Sequence, residues 1–274
     1  MSTEYMPAAD VLQHRTVTVW QNKIDVRVQV KGTGSPILYL HPAGGMSWDP
    51  FLDDLARDHT IYAPEFPGTT PGNESAIHQV DDIFDVVLAY EEVVRALRLT
   101  HAVVIGQSFG GMIAAELASS FPDLFTKVVL LDAAGLWLPE QPATMDFMAC
   151  KPEQIPPMLF HDPGCAGAQA MFTPPPDLEM AVDGAVGLVW AIGCTAKFLW
   201  PIPDRGLHKR LHRITAPTLV VWGEQDALFP VAYGHAFARA ISGSKLVLVP
   251  NCGHIPQVEQ SEVTTQAVRE FLRD

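Results

Sequence analysis

The chain has 274 residues, 48% of them hydrophobic and 18% charged, which is ample for a buried core and too few charges for a disordered protein. Its 31 acidic against 18 basic residues give a formal net charge of -13, a field that repels nucleic-acid phosphates and anionic lipid surfaces. Neither nucleic acid nor a membrane is therefore an expected partner.

The opening residues, Met1 to Asp10, carry Glu4 and Asp10 and lack both a basic start and an apolar run, so a secretory signal is not expected. Cys150, Cys165, Cys194 and Cys252 contain no C-x-x-C pair, which argues against a zinc site or a disulfide framework. Reduced thiols and a cytoplasmic location are the expectation.

Residues 15–20 and 24–30 alternate apolar and polar side chains around Gln21-Asn22, predicting an antiparallel hairpin at a sheet edge. The runs 37–41, 60–63, 102–105 and 128–131 are short, apolar and separated by helix-length segments, as in a parallel sheet covered on both faces. Between them, 81–99 places Ile83, Val86, Val87, Tyr90, Val93, Val94 and Leu97 at helical spacing, and 111–121 reads as a helix stopped by Pro122.

Residues 135–213 break this alternation. They are rich in proline yet hold Trp137, Met145, Phe147, Met148, Phe160, Met171, Phe172, Trp190 and Trp200, too apolar for a linker and too proline-rich for strands. An inserted helical lid is expected there. Within it, 181–200 approaches the length of a bilayer span, but Asp183, Lys197 and three glycines inside it favour a buried or pocket-lining helix. After residue 215 the pattern resumes: strand 218–222, helix 231–241, strand 246–249 and a last helix over 259–272. The predicted organisation is a core formed by 1–134 and 214–274, with a cap over 135–213.

The pentapeptide Gly106, Gln107, Ser108, Phe109, Gly110 has the form G-x-S-x-G and falls between a strand and a helix. A turn that sharp strains the serine backbone and admits only small neighbours. Because a serine hydroxyl is a poor nucleophile near neutral pH, it needs a base within hydrogen-bond reach and a group to orient that base. Asp226, in W-G-E-Q-D-A-L-F-P, and His254, in N-C-G-H-I-P, each follow a predicted strand. Glu224 is a second candidate for the acid, and Asp132, ending the run L-L-D, is another, with capping of the exit into the lid as its structural alternative.

These three segments resemble the nucleophile, acid and base motifs of the α/β-hydrolase superfamily, from about residue 24 to the C-terminus. The likeness is to the branch of esterases, carbon–carbon bond hydrolases and cofactor-free haloperoxidases with a helical cap after the sixth strand. It implies a mostly parallel sheet flanked by helices and a triad of Ser108, Asp226 and His254. Asp132 is the position where some relatives place the acid instead. His41, Pro42, Ala43, Gly44 and Gly45 resemble the oxyanion loop H-G-x-G, with proline where glycine is usual. Proline has no N–H, so the oxyanion donors expected are Phe109 and Ala43, with Gly44 next.

The function expected is a serine hydrolase cleaving an ester-like bond of a small, apolar or aromatic molecule, with activity falling as His254 gains a proton. Trp137 and Trp190 of the lid, with Gln107, are the expected substrate-binding side chains. Neither metal nor cofactor is expected, since no H-E-x-x-H or comparable constellation occurs. Two alternatives stand beside this reading: a carbon–carbon bond hydrolase acting on a ring-cleavage diketone, and a non-catalytic ligand receptor on the same fold.

Overall fold

The computed structural model describes residues 11–143, 150–200 and 204–274. Met145, Phe147 and Met148, three of the apolar lid residues, lie outside the described residues.

Eight strands form one sheet in the order β1-β2-β4-β3-β5-β6-β7-β8. The edge hairpin β1 (Gln13–Val19) and β2 (Ile24–Lys31) is antiparallel, and β2 pairs antiparallel with β4 (His59–Pro64). From β4 onward every pairing is parallel, through β3 (Ser35–Leu40), β5 (Ala102–Gln107), β6 (Phe125–Leu131), β7 (Thr218–Gly223) and β8 (Lys245–Val249). Successive side chains of a strand point to opposite faces, so apolar runs without alternation require a core on each side. Leu38 and Leu40 accordingly join one core with helices α2 (Ile83–Ala96), α3 (Phe109–Ser120) and α7 (Ala232–Ala240). Ile37 and Tyr39 join the other, with α1 (Pro50–Leu55) and the C-terminal helix α9 (Ser261–Arg273). That last helical stretch is broken at Gln260, which separates α9 from the short α8 (Pro256–Glu259).

Between β6 and β7 lie α4 (Ile155–Leu159), α5 (Ala166–Phe172) and the 22-residue α6 (Leu178–Leu199). Asp177 caps α6 by accepting the Met180 N–H. The expectation of a buried helix holds for its second half, where Ala191, Cys194, Thr195, Phe198 and Leu199 are buried. The first half differs: from Leu178 to Trp190 every residue except Ala181 is exposed. Its contacts with the core are few: Leu188 approaches Gly44, and Trp190 donates to Gly68 O. Lys197 does not weaken the helix, because its Nζ donates to the carbonyls of Ile77 and Val80 and pairs with Asp81. Length and composition alone would let α6 cross a membrane, with a mean hydropathy of 1.4 over its most apolar 18 residues.

Candidate active site

Ser108 stands between β5 and α3 with φ 54° and ψ -116°, a conformation a serine holds only when its surroundings fix it. They do: the Ser108 N–H donates to Leu131 O, and Ser108 O accepts from Met112 N and Ala134 N. The glycines around it are dictated by space. A Cβ at Gly106 would lie 2.3 Å from Gly110 O, and one at Gly110 would lie 2.0 Å from Leu40 O. A third small residue, Gly111, is needed because its Cβ would meet the Ala133 Cβ at 2.6 Å.

Parallel strands bring Ser108, Asp226 and His254 to the same end of the sheet, since they follow the C-terminal ends of β5, β7 and β8. Ser108 Oγ–H donates to His254 Nε2 at 2.8 Å, and His254 Nδ1–H donates to Asp226 Oδ2 at 2.8 Å. Asp226 Oδ1 accepts from the N–H groups of Leu228 and Phe229 at 2.8 and 3.0 Å, so the carboxylate is held by three donors. This fixes the tautomer: Nδ1 carries the proton and Nε2 is free to accept one. The three side chains are almost sealed, with Ser108 7%, Asp226 5% and His254 3% exposed. Glu224, by contrast, is exposed and touches neither residue's ring or hydroxyl.

The loop after β3 is shaped by His41. Its Nδ1–H donates to Pro42 O at 2.7 Å, and Pro42 O also accepts from Gly45 N. Burial drives the His41 ring down to about 4, so it stays a neutral imidazole. With Pro42 O held on one side, the trans peptide turns the Ala43 N–H to the other. The N–H groups of Ala43 and Phe109 meet no acceptor among the described residues. Helix α6 closes over this loop: Leu188 Cδ1 is 3.2 Å from where a Gly44 Cβ would be, and Ala191 Cβ 3.1 Å from that of Gly45.

The remaining expected site residues have other partners. Gln107 is wholly buried; its Nε2 donates to His254 O at 3.0 Å, while its Oε1 is buried and meets no donor among the described residues. Trp190 donates Nε1–H to Gly68 O at 2.7 Å and pins α6 to the loop after β4. Trp137 is 36% exposed, one residue before Leu138, whose N–H donates to the Tyr233 hydroxyl. Of the lid aromatics, Phe198 packs edge-on against Phe66, which packs in turn on Phe109, the residue after Ser108.

Two residues matter more than their sequence contexts indicate. Glu259 accepts from Gly253 N at 2.6 Å and from the lid residues Asp162 N (2.6 Å) and His161 N (3.2 Å). The segment between β6 and β7 also touches His254 directly, since His254 N donates to Leu159 O and a Cβ at Gly253 would collide with that same carbonyl. Asp132 accepts from Gly223 N at 2.9 Å, linking the end of β6 to the end of β7. Asp132, Asp226 and His254 each place one ligand-type atom within 4.8 Å of the others. A metal would compete there with the hydrogen bonds already joining Asp226 to His254 and His254 to Ser108. A 640 Å³ groove between α1 and α9 lies apart from the triad and contains none of its residues.

Comparison with known proteins places this geometry in a family. The chain is 26% identical over 254 residues to a dihydrolipoyllysine-residue acetyltransferase component of the acetoin cleaving system from Pseudomonas putida, covering 88% of this chain and 64% of that protein's length. It is 22% identical over 258 residues to a 2-hydroxy-6-oxo-6-phenylhexa-2,4-dienoate hydrolase from Burkholderia cepacia, covering 88% of each. Among solved structures, a bacterial membrane phospholipase A superposes with a TM-score of 0.76 at 22% identity, over 96% of this chain and 86% of the other. The model of the alpha/beta hydrolase family matches residues 37–267, and the chain is a member of that family.

Proposed function

We propose that the chain is a serine hydrolase that cleaves an ester-like bond of a small apolar or aromatic molecule through an acyl-enzyme. The observation that carries this reading is the unbroken relay from Ser108 Oγ through His254 to Asp226, two hydrogen bonds of 2.8 Å between almost sealed side chains. His254 takes the Ser108 proton as Oγ attacks the carbonyl, and the N–H groups of Phe109 and Ala43 receive the oxyanion. Phe109 begins α3, so the helix dipole adds to its N–H. His254 then gives the proton to the leaving alcohol, and water, activated by the same base, frees the acid. Asp226 holds the His254 ring in place throughout. The packed rings of Phe66, Phe109 and Phe198 support an apolar acyl or alcohol group.

A second reading, carbon–carbon bond hydrolysis, is favoured by relatives whose names state a dienoate or semialdehyde substrate. Against it stands the charge of the lid. A dienoate is an anion, and the cations of the cap over 135–213 are Lys151, Lys197, Arg205, Lys209, Arg210 and Arg213. Lys197 is occupied by Ile77, Val80 and Asp81, Arg210 by Glu116, Arg205 by Phe198 O and Arg213 by Ser119 O, while Lys151 and Lys209 are exposed. A neutral ester fits this lid better.

The deciding experiment is turnover by purified protein of aryl and alkyl esters beside a ring-cleavage dienoate, with Ser108→Ala as control. Ester turnover that Ser108→Ala abolishes without loss of the fold supports the proposal. Activity on the dienoate alone would replace it with the second reading, and activity surviving in Ser108→Ala would overturn both.

A further inference from the structure

Asp132 is fully buried at the end of β6, with φ 41°, in the left-handed region that a non-glycine residue holds only under constraint. Its Oδ1 accepts from Gly223 N at 2.9 Å, while its Oδ2 is buried and meets no donor among the described residues. A buried carboxylate oxygen with no donor is costly, and here the next carboxylate is close: ligand-type atoms of Asp132, Asp226 and His254 lie within 4.8 Å of one another. The oxygens of Asp226 are already supplied by Leu228 N, Phe229 N and His254 Nδ1, so no N–H remains there to share. The titratable groups facing Asp132 are Asp226 beyond β7, Cys252 and His254 beyond β8, and Glu259 in α8. None of them is a lysine or an arginine. Two carboxyl groups in such a space share one negative charge, because a second would face the first across a medium of low dielectric.

We propose that Asp132 is a positioning residue for the triad: a neutral carboxylic acid whose Oδ2–H donates to the Asp226 carboxylate. Asp226 is then the single anion under His254, held by a side chain as well as by two backbone N–H groups, and its rotamer is fixed before substrate arrives. Burial, and after it the neighbouring Asp226 charge, push the Asp132 carboxyl well above the usual carboxylate range, in the same direction. The proton stays on Asp132 through the reaction, and no bond to substrate involves it. Anchoring β6 to β7 through Gly223 needs only Oδ1, so the role of Oδ2 is separable from the structural one.

This inference rests on the reading of Ser108, His254 and Asp226 as the reacting groups, and its test is independent of the substrate. The infrared spectrum of the full chain at neutral pH is expected to show a protonated-carboxyl C=O band that survives in Ser108→Ala, disappears in Asp132→Asn, and shifts in Asp226→Asn. Labelling of Ser108 by a fluorophosphonate is expected to slow about tenfold or more in Asp132→Ala but to stay within about threefold in Asp132→Asn, whose amide can still donate to Asp226. Loss of label in both variants alike, or a wild-type spectrum in which no band depends on Asp132, would overturn the proposal. If Asp132→Ala does not fold, the spectra of wild type, Asp132→Asn and Asp226→Asn decide it. Failure of the wild type to take label would count against the hydrolase reading, while the infrared band would still decide the state of Asp132.

Discussion

The hydroxyl of Thr195, near the C-terminal end of the lid helix α6, lies 3.1 Å from the carbonyl oxygen of Ala43 in the loop expected to bind the oxyanion. It can also donate to Ala191 O, one turn back on its own helix, at 3.0 Å. The lid thus reaches the loop through a polar contact as well as through Leu188 and Ala191. Thr195→Val keeps the shape and removes the donor. We expect kcat on an ester substrate to fall by roughly three- to tenfold with little change in KM, the equivalent of about one hydrogen bond. Unchanged kcat would show that the hydroxyl serves its own helix, through Ala191 O or Ile192 O, and not the loop.

Gln107 supplies a test of positioning against substrate contact. Gln107→Met removes the donor to His254 O in a buried setting and conserves most of the volume. A fall in kcat of about tenfold at constant KM is expected if Gln107 braces the base. A raised KM with kcat intact would instead return it to the substrate.

Arg210 grips the buried Glu116 of α3 with two hydrogen bonds, Nε to Oε2 at 2.9 Å and Nη2 to Oε1 at 2.6 Å. Glu116 has a side chain only 3% exposed, so removing its partner strands a charge inside the protein. Arg210→Met is expected to lower stability by about 3 kcal/mol, and adding Glu116→Leu to restore much of it. Thermal unfolding followed by circular dichroism checks both, as a drop in Tm of roughly 5–10 °C and its recovery.

Asp49 caps α1 by accepting the Leu52 N–H, yet burial lifts it from the usual 3.8 to about 6, against the pull of that bond and with a smaller push from Asp53. The folded chain therefore prefers the protonated acid. Its contribution to stability is complete below the unfolded value near 4 and is lost as pH rises through about 6. Asp49→Asn keeps an acceptor for the cap without the charge. Denaturant unfolding is expected to find the variant more stable than the native chain at about pH 8, with the difference closing near pH 4.

Much of the fold is legible in the sequence because each strand is a short apolar run with a helical period after it. The run 102–105 and the G-x-S-x-G that follows it locate the elbow, and chain order places the acid and base beyond later strands. Sheet order is not legible in the same way: β4 lies between β2 and β3 through pairings remote in sequence. Nor is the partner of the Gln107 amide, which only the position of His254 O decides. The apolar start of α6 departs from expectation for a related reason. Composition marks a segment as fit for burial, but whether core exists at that place depends on where the preceding turn aims the helix. The link from Asp132 to the triad is legible only as a residue type at a strand end, because its meaning comes from a neighbour 94 positions away, at Asp226.

Glu259 holds the lid and the base's loop with one carboxylate, taking the N–H groups of His161, Asp162 and Gly253 together. The two parts are therefore not interchangeable modules. A lid transplanted from a relative would bring its own backbone at 159–162, and any change in its height there would be passed to His254, whose backbone N–H donates to Leu159 O. Selectivity at this edge is mechanically tied to reactivity, so a designer who exchanges lids has to carry 159–162, Gly253 and Glu259 across as one piece.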